Sequence, residues 1–406
     1  MISPKIYLAI DNCFAAKRWT RPADWARIIM DMGISYVEAS ADNECDPLYS
    51  DPGYLEDWLQ NVESACEQTG VRVANLYSGH GTYATLGLAS PDRRNQERIQ
   101  NEWLKVMIRN ASRLRAGLGF YCHAFNEDIL QDPAVYAAAE EGLYCRLAEL
   151  AEYARAHLAK FIAVEQMYSP HQIPWTVQGG RKFLREAWAR SRSPLYLTLD
   201  TGHQSGQRRF VRLPSSKLKQ LLGQARSTGR LEAGLWLGPT SAYSLFRAGV
   251  GASEEAEDEY LRRLDQAMDL YPYLFAEWED GDTYGWLREL GCYSPVIHLH
   301  QTDGISSSHS PFTEENNRKG IIQGDEVVQA ISAAYSTLPE SGMPPRCEEI
   351  YLTLEIFSRT ADFPIDIVRG LAESVEYWRR YVPNDGSTIQ ELLGRHEPLR
   401  SADGSK

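Results

Sequence analysis

The chain has only seven cysteines, at positions 13, 45, 66, 122, 145, 292 and 347, and no two of them form a C-x-x-C pair. An odd set without that spacing excludes a complete disulfide framework and a zinc ribbon, so reduced core cysteines in a cytoplasmic protein are expected. Long apolar runs are missing as well. No uncharged apolar stretch approaches the roughly 20 residues needed to cross a bilayer. The start, MISPKIYLAIDNCF, lacks the basic opening and long apolar core of a secretion signal. Positive charge is in deficit, with 42 Lys and Arg against 55 Asp and Glu and a net charge of −13. That balance repels polyanions on average, which argues against nucleic acid or an anionic membrane as a partner. No Gly-rich phosphate cradle follows the last two predicted strands, where only Gly304 and Gly320 occur in a polar loop.

What remains is the composition of an ordinary packed protein, 43% hydrophobic and 24% charged. Short apolar runs alternate with longer segments of helical period, the pattern of βα units around a parallel sheet. Strands are predicted at 6–10, 36–40, 71–77, 117–125, 160–167, 195–200, 295–301 and 349–357, and helices at 22–32, 54–68, 91–116, 133–159, 177–191, 324–338 and 364–381. Pro22 and Asp24 suit the first turn of the first helix, and Ser90-Pro91-Asp92 suits the start of the third. Eight strands close a barrel, so the expected fold is an α/β (β/α)8 TIM barrel over residues 1–382, followed by a polar tail over 383–406.

The interval between Asp200 and the seventh strand is far longer than any other and implies a largely helical insertion over about 204–280. It joins a basic stretch (QRRFVRLPSSKLKQ), a Gly-containing apolar piece and an acidic helix with an aromatic end. An insertion there lies on the C-terminal face of a barrel, where it can roof the pocket, build a contact with a second copy of the chain, or merely decorate the periphery. A homo-oligomer is the expected assembly.

Four predicted strands end in a residue able to bind a divalent cation: Glu165 in AVEQM, Asp200 in LTLDTGH, His300 in IHLHQTD and Glu355 in LTLEIF. Each follows an apolar strand body, so each stands at the C-terminal rim, where barrel chemistry is found. Residues two back on the same face, Ala163, Thr198, His298 and Thr353, point inward one layer lower. A single acid at a strand end is explained as well by a helix cap. Three convergent acids are not, because burying an unpaired carboxylate is unfavourable by several kcal/mol unless a cation or hydrogen bonds compensate.

The order Glu, Asp-Thr-x-His, His-x-His-x-x-Asp, Glu at the ends of consecutive strands resembles the xylose isomerase-like TIM-barrel superfamily of sugar isomerases and epimerases, above all ketose 3-epimerases of the D-tagatose 3-epimerase type. The resemblance implies one divalent ion held by Glu165, Asp200, His300 and Glu355, with Glu165 and Glu355 also exchanging the substrate proton. Oxygen-rich ligands with one imidazole suit Mn²⁺, Mg²⁺ or Co²⁺, with Zn²⁺ an alternative. The substrate class implied is a keto sugar or related polyol ketone, whose C–H beside the carbonyl becomes acidic when charge on an enediolate is stabilised.

His203, in Asp200-Thr-Gly-His203, occupies the position that contacts a substrate oxygen in these enzymes, or it orients Asp200. His80 and His123 end the third and fourth strands facing the same mouth, as substrate contacts or as hydrogen-bonded core histidines. Trp19, after Lys17 and Arg18, offers an aromatic wall behind the first strand, and Asp303 an acid in substrate reach. His298 is expected as a polar floor residue that tunes substrate fit. The arginine that follows the acid in ketose 3-epimerases has no counterpart before Arg318.

Two other chemistries share the pattern. A lyase resembling inosose dehydratase begins with the same proton abstraction and then expels hydroxide. A phosphodiesterase resembling endonuclease IV uses histidines where His80, His123 and His203 stand, with His309 in the loop that carries further ligands. That loop, DGISSSHSPF, lacks the Asp-x-His pair of a three-metal site, and the acidity of the chain is poor for gripping a phosphate backbone.

Overall fold

The computed structural model describes residues 3–78, 87–122, 124–230, 234–253 and 256–396. Eight parallel strands form where the apolar runs predict them: β1 Lys5–Asp11, β2 Tyr36–Ser40, β3 Arg72–Ser78, β4 Gly117–Phe120, β5 Ile162–Glu165, β6 Tyr196–Asp200, β7 Val296–Leu299 and β8 Glu349–Leu354. Each pairs with the next, and β1 pairs with both β8 and β2, which closes the barrel. Helices Pro22–Asp31, Pro52–Thr69, Pro133–Ala156, Val177–Ser191, Gly324–Ser336 and Pro364–Arg379 lie within a few residues of their predicted ranges. A proline opens four of these in the first turn, where its missing N–H costs nothing. The third helical segment starts at Arg93 rather than at Pro91, because Asp92 supplies the cap by accepting the Arg94 N–H at 2.8 Å.

The lumen is layered. At the N-terminal end, Ala9, Ala74, Ala163 and Val296 pack with Phe161 and Tyr351. The rings of Tyr7, Tyr36 and Tyr351 stand 5.0–5.3 Å apart and plug that end. Higher up, Asp11, Glu38, Asn75, Thr198, His298 and Thr353 are all fully buried. The barrel is thus apolar at its base and polar beneath its rim, and the polar half needs internal compensation because water does not reach it.

The insertion is helical, with Ser215–Thr228, Thr240–Val250 and Glu257–Asp269 packed through Leu218, Leu222, Phe246, Leu261 and Leu264. Its basic stretch and acidic helix turn out to be partners: Arg212 pairs with Asp269 at 2.6 Å, Lys219 with Glu257 at 3.2 Å, and Arg226 with Glu257. Its aromatic end docks on the barrel, with Tyr273 stacked on Tyr136 at 3.8 Å and its hydroxyl donating to the Leu130 carbonyl. Residues 387–396, assigned above to the polar tail, are ordered elements. Ser387–Thr388 pairs antiparallel with β1, and the helix Ile389–His396 buries Ile389 and Leu392. The apolar spacing of those two residues was too short a signal to separate a docking turn from a tail. No helix among the described residues is long and apolar enough to cross a membrane.

One buried carboxyl sits outside the lumen. Glu44 follows β2 and accepts hydrogen bonds from the Trp25 indole at 2.7 Å and from Asn12 at 3.1 Å. Burial outweighs these bonds and pushes its carboxyl up from 4.5 to about 8. The folded chain therefore keeps this proton through a window in which the unfolded chain has released it, so the contribution to stability falls as pH rises from 4.5 to about 8. Between pH 6 and 9 the wild-type Tm is expected to fall by about 3 °C more than that of Glu44→Gln, measured by thermal denaturation in matched buffers. Parallel Tm profiles for the two proteins contradict the assignment.

Candidate metal and proton-transfer site

The site is assembled from the last residues of β5 and β6 and the first residues beyond β7 and β8. Alternation along each strand turns Glu165, Asp200, His298 and His300 inward. The pairing register sets Asp200 beside His298, and His298 beside Thr353. Sequence spacing puts His298 a layer deeper than the carboxylates. The stagger of the barrel brings it directly beneath them.

Asp200 is held by its own loop. Its Oδ1 accepts the backbone N–H groups of Gly202 at 2.7 Å and His203 at 2.9 Å, and His300 Nε2 lies 3.2 Å from both of its carboxylate oxygens. Burial alone raises such a carboxyl, but His203 and His300 outweigh it and hold Asp200 well below the usual carboxylate range. Gly202 permits this close approach. A Cβ there lies 2.2 Å from His300 Cε1 and 2.7 Å from its Nε2.

Glu165 is engaged at both oxygens. Tyr77, at the end of β3, donates its hydroxyl to Oε2, and His298 Nδ1 lies 3.2 Å from Oε1. Burial, with the Glu165 charge adding to it, keeps the Tyr77 phenol protonated and able to donate. His298 Nδ1 also lies 3.4 Å from Glu355 Oε2, while its Nε2–H donates to Glu38 Oε1 at 2.8 Å. Asn75 donates to the other Glu38 oxygen. Burial disfavours the imidazolium, but the carboxylates of Glu355 and Glu38 outweigh it and hold His298 well above the usual histidine range. Beside Glu38, burial and the Glu38 charge push Asp11 up, so this carboxyl keeps its proton where an exposed one loses it.

His203 lines the cavity as expected. Its Nδ1–H donates to the Gln166 carbonyl at 2.7 Å, its ring meets Tyr168 edge-on at 4.8 Å, and its Nε2 stands 3.9 Å from Asp200 Oδ1. The cavity above the site has a volume of about 570 Å³, and Glu165, Glu355, His203, Tyr121, Met167 and Phe357 are among its walls. No described residue of the 204–280 insertion lines it, so the roofing role gains no support.

Other expected residues lie elsewhere. His298, expected as a polar support or floor residue, is fully buried below the cavity, contacts Glu165, Glu355 and Glu38, and does not line the pocket. Asp303 is exposed and caps its own loop by accepting the Ile305 N–H at 2.9 Å. Trp19 packs towards Phe14, with ring centres 6.1 Å apart, and does not face the cavity. His80 and His123 fall outside the described residues.

Ligating atoms converge in two overlapping groups, each within 4.8 Å: Glu165, Asp200, His298 and Glu355, and Asp200, His300, His309 and Glu355. The four expected ligands are therefore all present but divided between two groups that share Asp200 and Glu355. Carboxylate oxygens with one or two imidazole nitrogens are a suitable donor set for Mn²⁺, Mg²⁺, Co²⁺ or Zn²⁺, so the residues fit a divalent ion. Sequence reasoning overlooked Glu38, Tyr77 and Asn75. Asn75 and Tyr77 share the inward face of β3 in the alternation of VRVANLY, a signal that was there to read.

Residues 26–226 match the family described as "Xylose isomerase-like TIM barrel". Over 112 residues the chain is 31% identical to D-erythrulose 1-phosphate 3-epimerase from Brucella abortus (strain 2308), a match covering 28% of this chain and 33% of the relative. Among solved structures, one from Rhodospirillum rubrum ATCC 11170 named for xylose isomerase superposes with a TM-score of 0.64 at 16% identity, covering 92% of this chain and 99% of the other. D-allulose 3-epimerase from Methylomonas sp. gives 0.52 at 14% identity, covering 94% and 99%. At these identities the structural likeness speaks for the fold alone.

Because Gly202 admits His300 to Asp200, Gly202→Ala is expected to weaken Co²⁺ or Mn²⁺ binding by about tenfold or more while far-UV circular dichroism is retained. Calorimetric titration checks this, and unchanged affinity means that the close approach is dispensable.

Proposed function

From the premise that this chain is a xylose isomerase-like TIM-barrel protein, we propose that it is a divalent-metal-dependent sugar epimerase or isomerase acting by proton abstraction beside a carbonyl. The observation that carries the reading is the meeting of Glu165 and Glu355 over one imidazole nitrogen, next to Asp200 and His300 and open to one cavity.

Asp200, His300 and Glu355 would hold the ion, with Glu165 or His309 as a fourth donor. A divalent ion bound there supplies positive charge beside the substrate carbonyl and lowers the cost of the enediolate that proton removal creates. Glu165, fixed by Tyr77 and His298, takes a proton from the carbon next to the carbonyl. Glu355 approaches from β8 and returns a proton to the same carbon from the other side, which inverts it. If a single glutamate serves both steps along one face, the outcome is aldose–ketose isomerisation. His203 Nε2 is placed to hold a substrate oxygen, and Tyr121, Met167 and Phe357 limit water around the reacting carbon. A keto sugar or polyol ketone fits the cavity volume, and the phosphorylated ketose named for the Brucella relative belongs in the substrate panel.

Deuterium incorporation from D2O into ketoses, aldoses, inososes and D-erythrulose 1-phosphate, with Co²⁺ or Mg²⁺ supplied, tests the reading. Exchange at one carbon beside the carbonyl is expected, with Glu165→Gln and Glu355→Gln each lowering its rate at least about 100-fold. Full exchange by both variants rules out this acid/base pair. Loss of water from an inosose points instead to the lyase, and cleavage of abasic DNA to the phosphodiesterase.

A further inference from the structure

The two overlapping groups of ligating atoms differ in what the protein has already done with them. In the deeper group, Glu165 is bonded at both oxygens and His298 at both nitrogens, to Tyr77, to Glu38 and to each other. Bringing Glu165 onto an ion competes with these contacts. In the outer group Asp200 and His300 also engage each other, but His309 Nδ1 has no hydrogen-bond partner to give up.

His309 reaches that group from the loop after β7. Reciprocal backbone hydrogen bonds between Gln301 and Ser310, at 2.8 and 3.2 Å, close the loop and fold its last residue back over the rim. His309 itself adopts φ +45°, in the left-handed region. Its ring is clamped between His300, with centres 4.0 Å apart, and Phe357, at 3.9 Å, and its side chain is only 12% exposed. Nε2 lies 3.2 Å from Ser307 Oγ, which engages that nitrogen in either tautomer and leaves Nδ1 to face the cluster. That Nδ1 stands 3.2 Å from Glu355 Oε2 without the alignment of a hydrogen bond. An imidazole nitrogen and a carboxylate oxygen that converge with Asp200 and His300 within 4.8 Å in a buried site are donors suited to one divalent cation.

We propose that His309 ligates the divalent ion together with Asp200, His300 and Glu355, and that Glu165 stays outside the coordination sphere as a proton-transfer group. This rests on the metal-dependent reading above and changes its fourth ligand. It also assigns a use to the loop in which ketose 3-epimerases carry an arginine and this chain does not.

The test is Co²⁺ titration of the full chain and of His309→Phe and Glu165→Gln, followed by calorimetry and by the visible absorption of bound Co²⁺. Phe keeps the stack between His300 and Phe357 and removes only the nitrogens, and His309→Gln serves if the Phe variant does not fold. The wild type is expected to bind one Co²⁺. Without the imidazole, affinity should fall by about tenfold or more and the absorption should change, whereas Glu165→Gln should bind within about threefold of wild type with its spectrum retained. His309 variants with wild-type affinity and spectrum, or Glu165→Gln losing as much affinity as they do, overturn the proposal. A wild-type chain that binds no Co²⁺, Mn²⁺ or Mg²⁺ sinks the metal-dependent reading itself.

Discussion

Burial of carboxylates from several strands in one small volume is the constraint on which the rest of this structure depends. Asp11, Glu38, Glu165, Asp200 and Glu355 all lie in or just above the polar half of the lumen, each no more than 5% exposed. Unpaired, each costs several kcal/mol. The protein answers with two imidazoles on one strand. His298 links Glu38, Glu165 and Glu355, while His300 serves Asp200. Tyr77, Asn75 and the backbone N–H groups after Asp200 donate further bonds to Glu165, Glu38 and Asp200. A divalent cation fits this arrangement because carboxylate oxygens and imidazole nitrogens converge within 4.8 Å of one another.

The barrel makes that gathering possible. Its apolar base, plugged by Tyr7, Tyr36 and Tyr351, anchors the strands, so the polar layer above them is positioned by packing it does not itself provide. Surface elements contribute differently. The insertion after β6 resolves its own charge contrast internally, by pairing Arg212, Lys219 and Arg226 with the acidic helix, and it docks through Tyr273 away from the cavity walls. Arg208, at its start, donates to the carbonyls of Gly281 and Gly304, tying the post-β6 and post-β7 loops together near the site.

Much of this was legible along the chain. The eight apolar runs became eight strands, and the residues read at their ends, Glu165, Asp200, His300 and Glu355, came together at one rim. Period-two alternation and turn chemistry are local properties, so they survive without knowledge of the fold. His203 was legible for the same reason, standing three residues after Asp200 in a loop that both residues build. Asp303 and Trp19 do not line the cavity, because proximity in sequence to a strand end does not fix the direction of a loop side chain. Asp303 turns back on its own backbone, and Trp19 packs half-buried against the core.

Sequence alone determined that the chain forms a parallel (β/α)8 barrel, and which strand ends carry acid and imidazole, since both follow from short-range patterns of hydrophobicity and residue type. Tertiary structure alone decided which of those groups touch. His298 meets Glu38 across 260 residues of chain and Glu165 across 133, through a stagger that only barrel closure fixes. His309 reaches the rim only because the Gln301–Ser310 pairing folds its loop back. Contacts of that kind depend on strand register and loop return, which are global properties, and no local spacing encodes them.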